Sequence, residues 1–263
     1  MRPFAIAAAL IAVASTAGAA TCGNDSGGFN AWKQQFATEA AAQGVGDRGL
    51  SALAATQYAT RTISADRNQK SFKYSLDEFL RIRGADTIVS QGRKKIANNP
   101  NFFSGLEDRY GVPASIIVTI WGMETGFGNF MGDSNVLSAI STLAYDCRRS
   151  DFFTPHALAA LQLVDRGSLS SGTIGAMHGE VGHTQFLPGN VSRYGVDADG
   201  NGVLDLTNQS DSLASTANFL AQKGWQRGAG FQEGQPNFAI IQQWNAAGVY
   251  QKAIARMAGQ IDG

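Results

Sequence analysis

The stretch that decides the fold runs from residue 111 to residue 132 and reads GVPASIIVTIWGMETGFGNFMG. Pro113 suits the first turn of a helix, and the apolar run at 114–125 predicts a helix that is buried nearly all round. Between Arg109 and Asp133 the chain carries one charge, Glu124. We therefore expect this helix to be central, with Glu124 at its C-terminal end.

Glu124 is the strongest catalytic candidate in the sequence. Burial and the negative end of the helix dipole both disfavour its charged form, so its pKa should be raised. A carboxyl that stays protonated near neutral pH can act as a general acid. Glycines at 126 and 128 would let a ligand approach the backbone closely. Taken alone, the residue is equally compatible with a structural Glu that is hydrogen-bonded to backbone.

Length and charge exclude some classes of protein. The 263 residues suffice for one large domain or two modest ones. The 21 basic residues equal the 21 acidic ones, so no global field would attract nucleic acid. We expect no nucleic-acid partner.

The N-terminus has the pattern of a secretory signal. Arg2, an apolar run at 4–13 and small residues before Cys22 predict a signal peptide over residues 1–20. The alternative is an uncleaved membrane anchor. The residues before Cys22 fit a lipobox poorly, so a lipoprotein anchor is not expected.

Export affects the interpretation of the two cysteines, Cys22 and Cys147. An even count in an oxidising compartment favours a disulfide between them. The alternative is two free buried thiols. The disulfide would fix the mature N-terminus beside the segment that follows Glu124.

Hydrophobic periodicity predicts a mainly α fold with a small β part. Residues 66–70 are polar and irregular, residues 81–95 suggest a solvated helix face, and residues 167–195 suggest a loop threading a site. Any strands should be short and lie between about 168 and 235. The predicted helices cover 29–43, 47–59, 72–80, 102–110, 114–125, 136–145, 151–165, 212–223 and 237–257, the last interrupted near 246–248.

A second cluster of chemical groups occupies residues 182–188, GHTQFLP. It places a side-chain amide, a hydroxyl and an aromatic ring side by side, a mixture that suits sugar binding. His178 and His183 lack a third ligand at convincing spacing, so zinc is not predicted.

The segment at 197–203, DADGNGV, follows the first half of a calcium loop. The expected bidentate Glu at position 12 is replaced by Asn208, and Asp205 or Asp211 could complete the site. The alternative is a metal-free turn held by Asx hydrogen bonds. The candidate ligands in the first half are Asp197, Asp199, Asn201 and the Val203 carbonyl.

Several blocks, in order, resemble the lytic murein transglycosylases of the membrane-bound transglycosylase B type. The resemblance covers nearly the whole mature chain. The matching blocks are YGVP at 110–113, Glu124-Thr125, STLAY at 141–145, Arg148-Arg149, GHTQFLP at 182–188, the Asp-rich loop at 197–205, ASTANFL at 214–220 and the aromatic–Asn pair Trp244-Asn245.

The resemblance implies a mainly α (α+β) fold with a lysozyme-like catalytic core over 110–230, which includes the loop at 197–211. An N-terminal helical region over 21–109 would pack with C-terminal helices over 231–263, and the latter would complete the cleft.

The resemblance also implies roles for single residues. Glu124 corresponds to a single catalytic acid/base, and Asp211 becomes a better calcium ligand than Asp205. The implied substrate-cleft residues are Gln185, Arg149, Asn245, Tyr250, Phe186 and Phe219.

The implied activity is non-hydrolytic cleavage of the β-1,4 bond between N-acetylmuramic acid (MurNAc) and N-acetylglucosamine (GlcNAc) in peptidoglycan, which leaves 1,6-anhydro-MurNAc ends. No catalytic cofactor is implied, only structural Ca²⁺. The implied partners are glycan strands and other cell-wall enzymes. The protein itself is expected to be a monomer and to be located in the periplasm. The rivals are a lysozyme-type hydrolase that pairs Glu124 with Glu180 or Asp133, and a non-catalytic peptidoglycan-binding protein.

Four positions depart from the family pattern. Cys147 stands where a Pro is common, which fits the expected disulfide. Glu180 is an additional carboxylate, Ala176 stands where a hydroxyl is expected, and Trp244 replaces a Tyr.

Overall fold

The computed structural model describes residues 19–68 and 74–263, so all but the last two residues of the expected signal peptide lie outside it. The described residues form thirteen helices and two short strands. The elements are α1 (Phe29–Ala42), α2 (Asp47–Ala55), α3 (Thr60–Arg67), α4 (Leu76–Arg83), α5 (Ala85–Asn98), α6 (Pro100–Tyr110), α7 (Ala114–Thr125), β1 (Ser134–Asn135), α8 (Val136–Tyr145), α9 (Ser150–Arg166), β2 (Ile174–Gly175), α10 (Pro188–Tyr194), α11 (Gln209–Gln222), α12 (Phe238–Trp244) and α13 (Gly248–Asp262).

The central helix is α7, as the sequence predicts. Nearly all of its side chains are buried, from Ser115 to Met123, and it packs against α5, α6, α11 and α13. Gly126 ends the helix in the left-handed conformation at φ 57°, which glycine adopts without steric cost. The end of α7 is therefore fixed by sequence, and with it the position of Glu124 one residue before the last.

A second group of helices supports the other side of the molecule. Helix α9 packs against α2, α8 and α10. Helix α8 spans the predicted residues and begins with Asn135, whose side chain accepts a hydrogen bond from the Ser138 backbone N–H. The loop at 167–187 is bonded to α7 through His183, because Thr125 Oγ1 donates to His183 O at 2.6 Å and Trp121 Nε1 donates to His183 Nδ1 at 3.1 Å.

The two strands form an antiparallel pair in which Ser134 faces Gly175 and Asn135 faces Ile174. The expectation that strands lie only between 168 and 235 is wrong for β1. A strand of two residues carries no alternation pattern, so sequence periodicity could not locate it.

Two short helices were not predicted. Helix α2 stops at Ala55, four residues before the predicted end. Helix α3 follows at Thr60–Arg67, where no helix was predicted and where its last two residues fall in the predicted irregular segment. Helix α10 lies inside the predicted loop and begins with Pro188 in its first turn. Both are seven or eight residues long and depend on tertiary packing rather than on a periodic apolar face.

The predicted disulfide joins Cys22 to Cys147 across 125 residues. Backbone hydrogen bonds extend the link, because Gly23 N donates to Tyr145 O at 3.0 Å and Cys147 N donates to Gly23 O at 3.1 Å. The first described residues are thereby fixed to the segment between α8 and α9.

None of the helices in the described part of the chain combines the length and apolar content needed to cross a membrane. Helix α13 packs on α4, α5 and α7, so contacts cross both expected domain boundaries. The divisions at 109/110 and 230/231 therefore stay predictions.

Candidate active site

A cavity of about 630 Å³ lies at the C-terminal end of α7. Its walls come from α3 and α4, from α7 and the loop after it, from residues 176–187, and from α10, α11, α12 and α13. Six of the residues selected from the sequence line it: Glu124, Gln185, Phe186, Phe219, Asn245 and Tyr250.

Glu124 is held by two donors from the C-terminal helices. The Tyr250 hydroxyl donates to Glu124 Oε1 at 2.7 Å, and Trp244 Nε1 donates to the same oxygen at 3.0 Å. No hydrogen bond to Oε2 is present within the described ranges, and the residue lines the cavity. One carboxyl oxygen is thus positioned by protein while the carboxyl borders the space that a substrate would fill.

The surroundings of Glu124 favour its protonated form. Burial raises its pKa, and the negative charge of Glu180 acts in the same direction more weakly. The hydrogen bonds from Tyr250 and Trp244 and the positive charge of Arg83 oppose the rise, but the pKa stays above its ordinary value. Glu124 therefore meets the requirement for a general acid.

Tyr250 remains a hydrogen-bond donor over the working pH range. Burial and the neighbouring Glu124 raise its pKa well above the ordinary value. A hydroxyl that does not ionise can stabilise the Glu124 carboxylate whenever that group loses its proton.

Two predicted cleft aromatics support Trp244. The Phe186 and Phe219 rings contact the Trp244 ring edge to face, with centroids 5.2 Å and 5.3 Å away. Both Phe side chains are buried, at 2% and 4% exposure. They form the floor of the cavity and fix the indole that donates to Glu124, so little of their surface is free for a ligand.

Gln185 adopts an unusual backbone conformation. Within the described ranges it is one of two non-glycine residues with positive φ, at 57°, the other being Phe127 at 64°. Its Nε2 donates to Gly182 O at 2.8 Å and to Met131 O at 3.3 Å. Sparsely populated backbone conformations concentrate at functional sites, where the surroundings hold them in place.

Asn245 lies between α12 and α13, where its Oδ1 accepts a hydrogen bond from Ala247 N at 3.0 Å. That contact leaves the amide NH₂ available to a ligand in the cavity, since within the described ranges it donates to no protein group.

Arg149 does not line the cavity. Its Nη1 lies 2.6 Å from Asp66 Oδ1, and its guanidinium stacks 4.7 Å from the Phe153 ring centroid. Asp66 is buried and also contacts Arg148 and, at 3.9 Å, Nε2 of the cavity-lining His178. The role of Arg149 in substrate binding stays a prediction. In the described part of the chain, the contacts of Asp66 connect Arg149 to His178 at the cavity.

Sequence reasoning missed Arg83 and underused Trp244. Arg83 is on a helix face that was predicted to be solvated, and it is exposed, but its guanidinium also lies 5.8 Å from the Tyr250 ring centroid. A charge at one end of an exposed helix gives no sequence signal of such a contact. The sequence signal for Trp244 was its place as the aromatic residue before Asn245. Its hydrogen bond to Glu124 joins distant segments, so only the folded structure shows it.

Three carboxylates of the Asp-rich loop converge. One oxygen each from Asp197, Asp199 and Asp211 lies within 4.8 Å of the other two. Asp211 is fully buried, and its oxygens also accept hydrogen bonds from the backbone N–H groups of Ala198 and Asp205. Oxygen donors of this kind suit a hard cation such as Ca²⁺. The Asn201 side-chain oxygen accepts a hydrogen bond from Val203 N. The two other predicted ligands, Asn201 and the Val203 carbonyl, therefore lie in the same turn.

A mainly helical fold with one hydrogen-bonded Glu at the end of a buried helix is typical of the lysozyme-like class. Residues 28–233 match the transglycosylase SLT domain family. The chain therefore belongs to the transglycosylase SLT domain family, as the sequence resemblance predicts.

The chain is similar to membrane-bound lytic murein transglycosylase B of Escherichia coli (strain K12), with 35% identity over 121 residues, which is 45% of this chain and 34% of that relative. Its fold is similar to that of SltB3 from Pseudomonas aeruginosa in complex with NAG-NAM-pentapeptide, with a TM-score of 0.82, 27% identity, and coverage of 89% of this chain and 80% of the other.

The fold is also similar to that of the Escherichia coli lytic transglycosylase Slt35 in complex with calcium, with a TM-score of 0.76 and 22% identity. The match covers 92% of this chain and 96% of the Slt35 chain. At that identity the likeness shows the fold alone. The relatives of this chain are enzymes, and the predicted lysozyme-like, mainly α fold is confirmed.

Proposed function

We propose that this protein is a lytic transglycosylase that cleaves the β-1,4 bond between MurNAc and GlcNAc in peptidoglycan without consuming water. The observation that carries the proposal is the single carboxyl of Glu124, held on one oxygen by Tyr250 and Trp244 in a cavity of about 630 Å³. Membership of the family and the substrate fragment bound by SltB3 support it.

In the first step Glu124 acts as an acid. It transfers its proton to the glycosidic oxygen, the bond from that oxygen to the anomeric carbon breaks, and the GlcNAc-containing part leaves as an alcohol. The substrate's own N-acetyl group stabilises the positive charge at the anomeric carbon, so the protein needs no second carboxylate. The Tyr250 and Trp244 donors stabilise the Glu124 carboxylate that remains.

In the second step the same residue acts as a base. The MurNAc 6-hydroxyl attacks the anomeric carbon, and its proton returns to Glu124. A 1,6-anhydro ring forms and Glu124 is regenerated in its protonated state. A group that donates and then accepts a proton works best with a pKa near the working pH, and the raised pKa of Glu124 is consistent with that role.

Further residues are proposed to bind the glycan. Gln185 and Asn245 line the cavity with polar groups, and Tyr250 positions the catalytic carboxyl. Phe186 and Phe219 contribute by supporting Trp244. Arg149 would act on the end of the cavity where His178 lies.

Mass spectrometry of digested peptidoglycan tests the proposal. We expect disaccharide-peptides that end in 1,6-anhydro-MurNAc, and no such products from the Glu124→Gln variant. Reducing-end MurNAc would support the lysozyme-type alternative instead. No soluble product from the wild-type protein, together with retained binding to peptidoglycan, would support the binding-protein alternative.

A hydrolase would need a second carboxylate to activate water. Asp133 is exposed at the rim of the cavity and paired with Arg61 at 3.1 Å, which lowers the pKa of the Asp133 carboxyl. Glu180 lines the cavity but accepts a hydrogen bond from His178 N at 3.1 Å. Both carboxylates already interact with other groups, which favours the one-carboxyl mechanism.

We further propose that the Asp-rich loop binds Ca²⁺ in a structural role. The convergence of Asp197, Asp199 and Asp211 supports it, because a cation offsets the repulsion among three close negative charges. Asn201 and the Val203 carbonyl would complete the oxygen ligands. The ion takes no part in the reaction.

The cellular compartment and the partners of the protein are also proposals. The N-terminal pattern and the disulfide support export to an oxidising compartment, the periplasm. The proposed partners are glycan strands and other cell-wall enzymes, with the protein itself a monomer.

A further inference from the structure

Three side chains with formal or potential charge surround Glu124, each on a different element. Tyr250 is on α13, Arg83 is the last residue of α4, and Glu180 is on the loop before Gln185. Tyr250 stays neutral because its pKa is raised well above its ordinary value. The charges that act on Glu124 across the cavity are therefore those of Arg83 and Glu180, and they have opposite sign.

Arg83 is held at the cavity by two aromatic rings. Its guanidinium carbon lies 5.3 Å from the Phe79 ring centroid and 5.8 Å from that of Tyr250. Tyr250 is the residue whose hydroxyl donates to Glu124. Stacking on these faces keeps the cation beside the hydrogen bond that fixes the catalytic carboxyl.

The Arg83 guanidinium is also not neutralised by an ion pair with any carboxylate of the described residues. Among the described residues, the other two basic side chains that line the cavity lie near carboxylates: Arg61 is 3.1 Å from Asp133, and His178 is 3.8 Å from Glu180. No carboxylate of residues 19–68 or 74–263 lies within 4.0 Å of the Arg83 guanidinium. Of the described basic side chains that line the cavity, Arg83 is thus the one without an ion pair, and its charge is left to act on Glu124.

Glu180 is fixed by its own loop. Its Oε2 accepts a hydrogen bond from His178 N at 3.1 Å, and its backbone carbonyl accepts one from Ala176 N at 2.9 Å. The side chain is 25% exposed and lines the same cavity as Glu124. These bonds keep a negative charge at the cavity, on a loop distant in sequence from Arg83.

We propose that Arg83 and Glu180 are positioning residues of opposite sign that together set how readily Glu124 gives up and takes back its proton. Arg83 stabilises the Glu124 carboxylate, and Glu180 destabilises it. The proposal deepens the proposed function and rests on it for its catalytic meaning. Two residues that do not react with the substrate would thus adjust the proton affinity of Glu124, which matters both when it acts as an acid and when it acts as a base.

The signs of the effects on the two variants are opposite. Replacing Arg83 with Gln removes a positive charge, so Glu124 should hold its proton to higher pH. Replacing Glu180 with Gln removes a negative charge, so Glu124 should lose its proton at lower pH. Because Arg83 is solvent-exposed, we expect shifts of only about 0.2–0.7 pH unit, and smaller ones in high salt.

The test is a ¹³C NMR titration of the full chain with labelled glutamate carboxyls. The chain has six glutamates, and the Glu124 signal is the one that disappears in Glu124→Gln. We expect its midpoint to rise in Arg83→Gln, to fall in Glu180→Gln and to return near the wild-type value in the double variant. Arg83→Lys should keep it close to wild type.

A matched control and a second readout complete the design. Arg81→Gln, on the same helix turn but outside the cavity, should leave the midpoint unchanged. The basic limb of the pH profile of kcat/KM for glycan cleavage should move with the NMR midpoint. Identical midpoints in wild type, Arg83→Gln and Glu180→Gln would overturn the inference. Shifted midpoints in a protein that cleaves no glycan at any pH would support it and overturn the proposed function.

Discussion

At the scale of single residues, Glu124 combines two requirements that conflict. A buried carboxyl with a raised pKa suits acid catalysis, but above that pKa its charge is held where it is poorly solvated. The cost appears as reduced stability, because the unfolded chain loses this proton at a lower pH than the folded chain does. Glu124 should therefore make the free energy of unfolding depend on pH.

The Glu124→Gln variant tests this linkage. The folded-state pKa is raised, so stability falls as pH rises from the ordinary Glu value through the folded value, and the loss is complete above it. At pH 8 we expect the variant to melt a few degrees higher than wild type, since each pKa unit is worth about 1.4 kcal/mol. The gain should shrink towards pH 4 in calorimetry.

Asp133→Asn is the control for that measurement, because Asp133 is exposed and its pKa is lowered by the hydrogen bond from Arg61. It should show no gain in melting temperature at pH 8. If Glu124→Gln also melted at the wild-type temperature across the whole range, the raised pKa would be wrong.

Tyr250→Phe removes one donor while keeping the ring in place against Phe79. A hydrogen bond to a charged group contributes about 1.5–3 kcal/mol, so kcat should fall roughly 10- to 100-fold while the melting temperature changes little. Tyr110→Phe is the matched control, since the buried Tyr110 hydroxyl has no hydrogen-bond partner among the described residues. Equal kcat in both variants would show that the donor does not support Glu124.

At the scale of elements, the disulfide and the Asp-rich loop each involve a segment outside the helices. These segments are the residues before α1 and the loop at 197–211. The Cys22–Cys147 bond closes a loop of 125 residues, and the segment it holds continues into the ion pairs of Arg148 and Asp66. A link across so long a loop mainly restricts the unfolded chain.

The Cys22→Ser/Cys147→Ser double variant should lose about 2–5 kcal/mol of unfolding free energy in urea titrations. The reduced wild-type protein should behave like the variant, which separates loss of the bond from the effect of the serines. Unchanged unfolding midpoints would mean that hydrogen bonds such as those of Gly23 and Thr21 hold the N-terminal segment without the disulfide.

Calcium should raise the melting temperature of the wild-type protein relative to a chelator, and magnesium at the same concentration should not. Asp199→Asn is the informative variant, because Asp199 is exposed and an Asn side-chain oxygen can still accept the hydrogen bond from Asn201 N, whereas Asp211 is buried. The variant should lose the calcium response but keep its metal-free melting temperature. A wild-type protein that melts identically with calcium and with chelator would rule out the structural ion.

At the scale of the whole molecule, the site combines residues more than 120 positions apart, as the Glu124–Tyr250 hydrogen bond illustrates. Sequence predicted the bounds of α7 and α8 because apolar runs and end signals specify them locally. It predicted Glu124 because a lone charge in an apolar helix is rare. These are properties of short segments.

Contacts between distant segments could not be predicted in the same way. The position of Arg83 on the Tyr250 ring depends on how α4 packs against α13, and the pairing of Arg149 with Asp66 depends on helix α3, which has no periodic apolar face. Phe186 and Phe219 line the cavity, but sequence could not show that they are largely buried and pack against Trp244. Residue type and family pattern gave the candidate residues, while packing decided which surfaces they leave exposed to the cavity.

The central claim is that Glu124 acts first as an acid and then as a base while no water enters the reaction. Digestion of peptidoglycan in H₂¹⁸O, followed by mass spectrometry of the muramic acid ends, tests it most directly. The account predicts anhydro ends that contain no ¹⁸O. Reducing ends that carry one ¹⁸O atom per cleaved bond would contradict it.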